Sequence, residues 1–198
     1  MTALSNSNIV AKLHAALNFP LPGLPVQMQM APQPRPGTER ILDPTLNCRR
    51  SAVLVLLYPG EDGQMCLVLT RRAQWLGNHR GQISFPGGSM EAGETIVVTA
   101  LREAQEELSI DPTTVEPLGQ LSPLYLPPSN FCVYPVVAYA AQRPTLIPSH
   151  DEVAEVIEVS LAHLLSPTTR HVETWQLHSQ PVRVPFYAIG SHKVWGAT

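Results

Sequence analysis

The sequence predicts an α/β fold in which a mixed sheet carries helices on both faces, and three observations predict it. Ser51 to Tyr58 and Met65 to Thr70 are β-prone runs with almost no polar interruption, the pattern of strands buried on two faces rather than one. Between Thr95 and Leu108 the apolar residues Val97, Leu101, Ala104 and Leu108 fall on one stripe at about 100° per residue, with Val98 at its edge, so this stretch is an amphipathic helix. Beyond it, Val115 to Leu126, Phe131 to Ala141 and the region around Val153 to Val159 return to β-prone sequence.

In chain order, Ile9, Val10, Leu13, Ala16 and Leu17 recur at helical spacing and predict a helix over residues 7 to 18. Residues 19 to 44 hold many of the chain's 20 prolines, which exclude a long helix and favour an extended surface path, with pairing to a second subunit as the alternative. Residues 1–44 are therefore assigned to a helical and proline-rich N-terminal extension, and 45–198 to one domain. Pro59-Gly60-Glu61-Asp62-Gly63 joins the first two strands as a hairpin or a neighbouring pair. Thr95 is the expected cap of the central helix. A short helix is expected near Leu161 to Leu165, and a final hairpin from His171 to Leu177 and Val182 to Ile189 turns around Ser179-Gln180-Pro181.

Composition narrows the function. A hydrophobic content of 44% with 15% charged residues describes a globular protein, and the formal net charge of −3 supplies no basic field for a nucleic-acid duplex. No apolar run reaches membrane-spanning length, and the N-terminus has no basic segment leading into an apolar one, so a cytoplasmic enzyme is expected. Cys48, Cys66 and Cys132 are odd in number and widely spaced. Free thiols are the expectation rather than a disulfide framework.

Glu103, Glu106 and Glu107, spaced i, i+3 and i+4, share a sector of roughly 100° on the helix. Like charges at such spacings cost a few tenths of a kcal/mol per pair, so they converge at a price unless a cation neutralises them. Three glutamates on a helix are ordinarily a solvated face. Here they follow Pro86-Gly87-Gly88, where the missing side chains let backbone approach a metal or ligand closely. Mg²⁺ or Mn²⁺ suits such oxygens and shares them with water and substrate phosphates.

Gly88, Glu94, Arg102, Glu103, Glu106 and Glu107 meet the pattern glycine, five residues, glutamate, seven residues, Arg-Glu-x-x-Glu-Glu. This resembles the Nudix box of Mg²⁺-dependent hydrolases that cleave nucleoside diphosphates linked to another group, and implies a Nudix α/β/α sandwich. Ser109 stands where the family usually has glycine. The resemblance implies that Glu103, Glu106 and Glu107, with the Gly87 carbonyl, hold the metal. It implies further that Arg102 orients a neighbouring glutamate and that Glu94 braces loop and helix, while Glu103, Glu106 or Glu152 serves as general base. Glu152 is the candidate from a later acidic loop, where an ordinary exposed acid is the plain alternative.

Leu69, Thr70, Arg72, Ala73, Gly81 and Phe85 to Gly88 also resemble the extra motif of the coenzyme A pyrophosphatase branch, with Val68 for a leucine and Gly77 for an arginine. That branch implies cleavage of CoA or acyl-CoA to 3′,5′-ADP and (acyl-)4′-phosphopantetheine. Such a substrate has a 3′-phosphate besides its diphosphate, and arginine forks suit phosphate oxygens. Arg50, Arg72, His79, Arg80 and Gln82 are the candidate substrate-binding residues, with His79 and Arg80 near enough in sequence to replace the arginine missing at Gly77. The alternatives are hydrolysis of ADP-ribose or another nucleoside diphosphate derivative, and a non-catalytic module that senses a nucleotide. A homodimer is a candidate assembly. After Trp195-Gly196-Ala197-Thr198 that branch commonly runs on into a helix, so a further segment beyond Thr198 is expected.

Overall fold

The computed structural model describes residues 6–34, 47–73, 81–177 and 179–198, and β1 (Arg49–Pro59) is the strand on which its larger sheet is built. One edge of β1 runs parallel to β7 (Phe131–Ala140), with Arg49 opposite Phe131 and Leu57 opposite Tyr139. The other edge is shared. Its C-terminal end pairs with β2 (Met65–Arg72), Leu57 facing Leu67, while its N-terminal half pairs with the short β4 (Gly87–Ser89), Val53 facing Gly87. β2 therefore diverges from β1, and the glycine segment fills the fork.

Beyond the fork, β2 pairs with β3 (Ile83–Ser84) and, on its far edge, with β8 (Val153–Ser160). β5 (Val115–Gln120) and β6 (Leu124–Leu126) both pair with β7. One parallel pair among antiparallel ones makes the sheet mixed, as predicted.

The strands bury both faces. Ala52, Leu54, Leu56 and Tyr58 of β1 and Val136, Ala138 and Ala140 of β7 meet α3 (Ile96–Leu108) through Ala100, Ala104 and Leu108. On the opposite face Leu57, Leu67, Leu69, Val137, Ile157 and Val159 lie under α1 (Asn6–Leu17) and α4 (Leu161–Leu165). These two layers around one sheet are the α/β/α architecture read from the sequence. Ile9, Val10, Leu13 and Leu17 of α1 thus cover the domain core, although the helix belongs to the expected N-terminal extension. The chain then forms α2 (Leu24–Gln27), one turn long.

Local signals account for the ends of α3. The Thr95 hydroxyl accepts the amide of Val98 at 3.3 Å, a cap worth ~1 kcal/mol. Ser109 ends the helix in the left-handed conformation, φ 56°, ψ 28°, with its amide donating to the Gln105 carbonyl at 2.8 Å. The serine keeps the backbone geometry for which glycine is preferred.

Four expectations are corrected. Val115 to Leu126 is two strands, because Pro123, in the gap between Gln120 and Leu124, has no amide to donate to a ladder. The last hairpin turns one residue earlier than read: Gln180 and Pro181 already belong to β10 (Gln180–Ile189), opposite Leu177 and Gln176 of β9 (Arg170–Leu177), and Ser179 takes φ 64°. A third strand, β11 (His192–Trp195), was not read at all and completes a separate three-stranded sheet. The fourth is covalent: Cys48 and Cys132 form a disulfide, Cα atoms 5.7 Å apart across 84 residues, leaving Cys66 free. Parallel pairing of β1 and β7 sets Arg50 opposite Cys132, which brings Cys48 alongside, a proximity that sequence spacing does not reveal. No helix among the described residues is long and apolar enough to cross a membrane.

Candidate active site

The site forms where α3 crosses the fork in the sheet. Gly88 faces Ala52 of β1, and a Cβ at Gly88 would overlap the carboxylate of Glu103, so the absence of a side chain is what lets the helix acid lie on the strand backbone. At Gly87 a Cβ would collide with the Ala52 carbonyl and with Val53. Glycine is required at both positions for close approach.

Arg102 organises the acids. Its Nε donates to Glu94 Oε1 at 2.7 Å and its Nη2 to Glu94 Oε2 at 3.2 Å and to the Ser89 carbonyl at 3.1 Å. Nη1 reaches Glu103 Oε1 at 3.1 Å and Glu106 Oε2 at 3.0 Å. Glu94 also accepts the amide of Glu91 at 2.9 Å, closing the turn before α3. With the guanidinium as the largest cause, these donors pull the Glu94 carboxyl down to about 2, and the Glu94 carboxylate in turn raises Arg102 above its ordinary value. One guanidinium thus joins the turn before α3 to two acids of the helix.

The three metal candidates lie at different depths. The side chain of Glu106 is 57% exposed and that of Glu103 14%, whereas Glu107 is buried at 5%. Glu107 turns toward the protein, receives the Gly87 amide, and has its carboxyl pushed up to about 8, chiefly by burial and then by the charges of Glu152 and Glu103. Arg72 acts on it in the opposite direction. Glu103 is also raised, first by burial and then by Glu106 and Glu152, against the pull of Arg102. The carboxyls of Glu103, Glu107 and Glu152 are therefore electrostatically coupled.

Glu152 comes from the loop before β8, and its carbonyl accepts the amide of Ala73 at 2.8 Å. The Ser149 amide donates to the Glu107 carbonyl at 2.8 Å, tying the same loop to the end of α3. Arg72 and Gln82 meet through backbone, the Arg72 amide donating to the Gln82 carbonyl at 2.9 Å. Arg50 is exposed at the start of β1, its carbonyl accepting the Met90 amide at 3.0 Å. His79 and Arg80, and the departure at Gly77, lie outside the described residues. Of the other strand-end arginines, Arg49 bonds the Ser129 carbonyl and covers the Phe131 ring, and Arg71 pairs with Glu155 at 2.7 Å.

Among the described residues no three His, Cys, Asp or Glu side chains are placed, as they stand, to hold a metal ion together. Arg102 holds Glu103 and Glu106 on one side while Glu107 faces inward. Yet the donor set fits a hard divalent cation. Among the described residues Glu107 Oε2 is buried without a hydrogen-bond partner, and an acid raised by burial and then by neighbouring acids is what an added positive charge relieves. Sequence reading missed Thr99, which is fully buried on α3 and donates to Glu94 Oε2 at 2.7 Å. Its signal was a polar residue inside the apolar run Ile96 to Leu101.

A Nudix hydrolase NudL of Photorhabdus laumondii, itself uncharacterised, is 37% identical over 173 residues, covering 87% of each chain. A NudL of Pectobacterium atrosepticum, also uncharacterised, is 37% identical, with 87% of this chain and 84% of that one covered. The mitochondrial Nudix hydrolase 15 of Arabidopsis thaliana is 32% identical over 76% of this chain and 55% of its own. Among solved structures, a Nudix hydrolase from M. smegmatis aligns with TM-score 0.47 at 23% identity, over 60% of this chain and 77% of that one. The NUDIX domain profile matches residues 49–178, beginning at the first residue of β1. The chain that folds its glutamate helix across this fork belongs to the Nudix hydrolase family.

Proposed function

We propose that the protein is a Mg²⁺- or Mn²⁺-dependent diphosphatase that cleaves coenzyme A or acyl-CoA to 3′,5′-ADP and (acyl-)4′-phosphopantetheine. The observation that carries the metal dependence is the buried Oε2 of Glu107, which has no hydrogen-bond partner among the described residues and lies close enough to Glu103 and Glu152 to feel their charge. When bound, a divalent cation polarises phosphoryl oxygens and acidifies water. Glu103, Glu106 and Glu107, with the Gly87 carbonyl, would hold it.

The protein's own groups do the positioning. Arg102 fixes the carboxylates of Glu103 and Glu106 on the open side of the site, and Glu94 fixes Arg102. Gly88 leaves the space in which the Glu103 carboxylate lies against the strand, and Gly87 lets that strand pack closely on β1. Arg72 lies near enough to Glu107 to lower its proton affinity and so can meet a substrate phosphate at the same edge. Glu152 stands on the facing loop as the candidate base, with Glu103 and Glu106 as the other two acids able to take a proton from the attacking water.

The CoA assignment is supported by the sequence between Leu69 and Gly88, where Thr70, Arg72, Ala73, Gly81, Phe85 and Pro86 fit the CoA pyrophosphatase motif. Arg50, Arg72, His79, Arg80 and Gln82 are proposed to face the substrate. Gly77 in place of an arginine favours the second reading, ADP-ribose or another nucleoside diphosphate derivative without a 3′-phosphate. Incubation of the purified protein with CoA, ADP-ribose, NADH and dinucleoside polyphosphates, each with Mg²⁺ or Mn²⁺, decides between them. Fastest cleavage of CoA is expected. Faster cleavage of another compound retires the CoA assignment, and ligand-induced stabilisation without product supports a nucleotide-sensing module instead. Glu106→Gln is expected to remove most metal-dependent turnover while leaving the fold intact.

A further inference from the structure

Thr99 is fully buried in the first half of α3, and nothing in the Nudix box pattern specifies a hydroxyl there. Its single proton has two acceptors within reach, the Glu94 Oε2 at 2.7 Å and the Thr95 carbonyl at 3.2 Å. The carboxylate is the nearer and is charged, so the hydroxyl donates to Glu94. That bond completes a set. Glu94 Oε1 takes Arg102 Nε, and Oε2 takes the Glu91 amide, Arg102 Nη2 and the Thr99 hydroxyl.

Four hydrogen bonds therefore converge on one carboxylate, one on Oε1 and three on Oε2. The Glu91 amide and the Thr99 hydroxyl approach from the turn and from the helix, so between them they fix the plane of the carboxylate. The bidentate guanidinium follows that plane. Arg102 Nη1, at the far end of the same rigid group, is what holds Glu103 at 3.1 Å and Glu106 at 3.0 Å. Rotation of Glu94 therefore moves both metal-candidate acids through one planar lever.

We propose that Thr99 is a positioning residue that sets, through Glu94 and Arg102, the geometry in which Glu103 and Glu106 receive a divalent cation. The inference rests on the metal-site reading above but is independent of which diphosphate is cleaved. Loss of an outer partner of metal ligands typically weakens binding by roughly 10–100-fold. Thr99 lies two links further out, beyond Arg102 and Glu94, so an effect at or below the foot of that range is expected.

The test is direct Mn²⁺ binding, followed by electron paramagnetic resonance of the free ion, in the wild type, Thr99→Val and Thr99→Ser. Valine keeps the shape and removes the proton. Thr99→Val is expected to weaken Mn²⁺ binding about three- to tenfold, with the KM for substrate at saturating metal unchanged, and Thr99→Ser to restore wild-type affinity. Equal Mn²⁺ affinity in wild type and Thr99→Val overturns the inference, as does a serine variant no better than valine, which would mean that the methyl rather than the hydroxyl matters. If Thr99→Val does not fold, the comparison of Thr99→Ser with Thr99→Ala decides in the same way. A wild type that binds Mn²⁺ but leaves CoA intact retires only the substrate. One that binds no Mn²⁺ removes the metal reading and this inference together.

Discussion

Arg102 grips Glu94 with two nitrogens, Nε at 2.7 Å and Nη2 at 3.2 Å, across the eight residues that separate the loop from the second turn of α3. A planar fork on a carboxylate fixes orientation as well as distance, which a lysine cannot do. Because the same guanidinium holds Glu103 and Glu106, the pair transmits loop geometry to the metal candidates. Glu94→Gln, which keeps the shape but not the charge, is expected to lower turnover about 10–100-fold. The loss should show as a raised Mg²⁺ requirement rather than a raised substrate KM. Steady-state kinetics over a Mg²⁺ series checks this, and a variant with wild-type Mg²⁺ dependence would sink it.

Glu107 predicts an unusual pH dependence for the metal-free protein. Unfolded, its carboxyl titrates near 4.5; folded, it is pushed up to about 8 by burial and by Glu152 and Glu103. Between those values the native state holds the proton and the unfolded chain does not, so stability falls as pH rises from about 4.5 to about 8 and is flat outside that window. The loss amounts to a few kcal/mol at most, shared with the coupled acids. Urea unfolding at pH 5 and pH 8 in chelator should show it, added Mg²⁺ should reverse it, and Glu107→Gln should flatten the profile. A metal-free protein more stable at pH 8 than at pH 5 would contradict the assignment.

Ser109 occupies φ 56°, ψ 28° at the end of α3, where a side chain costs energy that glycine avoids. Glycine gives back part of the gain through its freer unfolded chain. Ser109→Gly is expected to stabilise the protein by about 0.5–1 kcal/mol with unchanged turnover. A urea midpoint at or below that of the wild type would refute this.

The Cys48–Cys132 bond closes a loop of 84 residues and ties the start of β1 to the start of β7. Chain-entropy reasoning assigns such a link about 4.5 kcal/mol. Unreduced, denatured protein should expose one titratable thiol, that of Cys66, and three after reduction. Three thiols before reduction would show that the link does not form. Cys132→Ser should lower the thermal midpoint of the oxidised protein.

The strands buried on both faces and the stripe on α3 were legible because local apolar spacing reports which side of an element meets the core. Arg102, Glu103, Glu106 and Glu107 were legible because helical spacing groups them, which the sequence carries directly, whereas Gly88 and Glu94 precede the helix and were read from the motif alone. Neither the depth of Glu107 nor the hydroxyl of Thr99 was visible in that way. Both depend on how closely α3 approaches the glycine backbone of β4, a distance set by contacts between residues far apart in the chain.

The sequence by itself determined the alternation of strands and helices, the cap at Thr95, and the acids that share one face of a helix, since each follows from interactions within a few residues. Only the tertiary structure decided the fork between β1 and β2, the link from Cys48 to Cys132, and which glutamate is desolvated. Strand order and burial arise from pairing across tens of residues, and the electrostatic state of a carboxyl is set by whatever that pairing brings beside it.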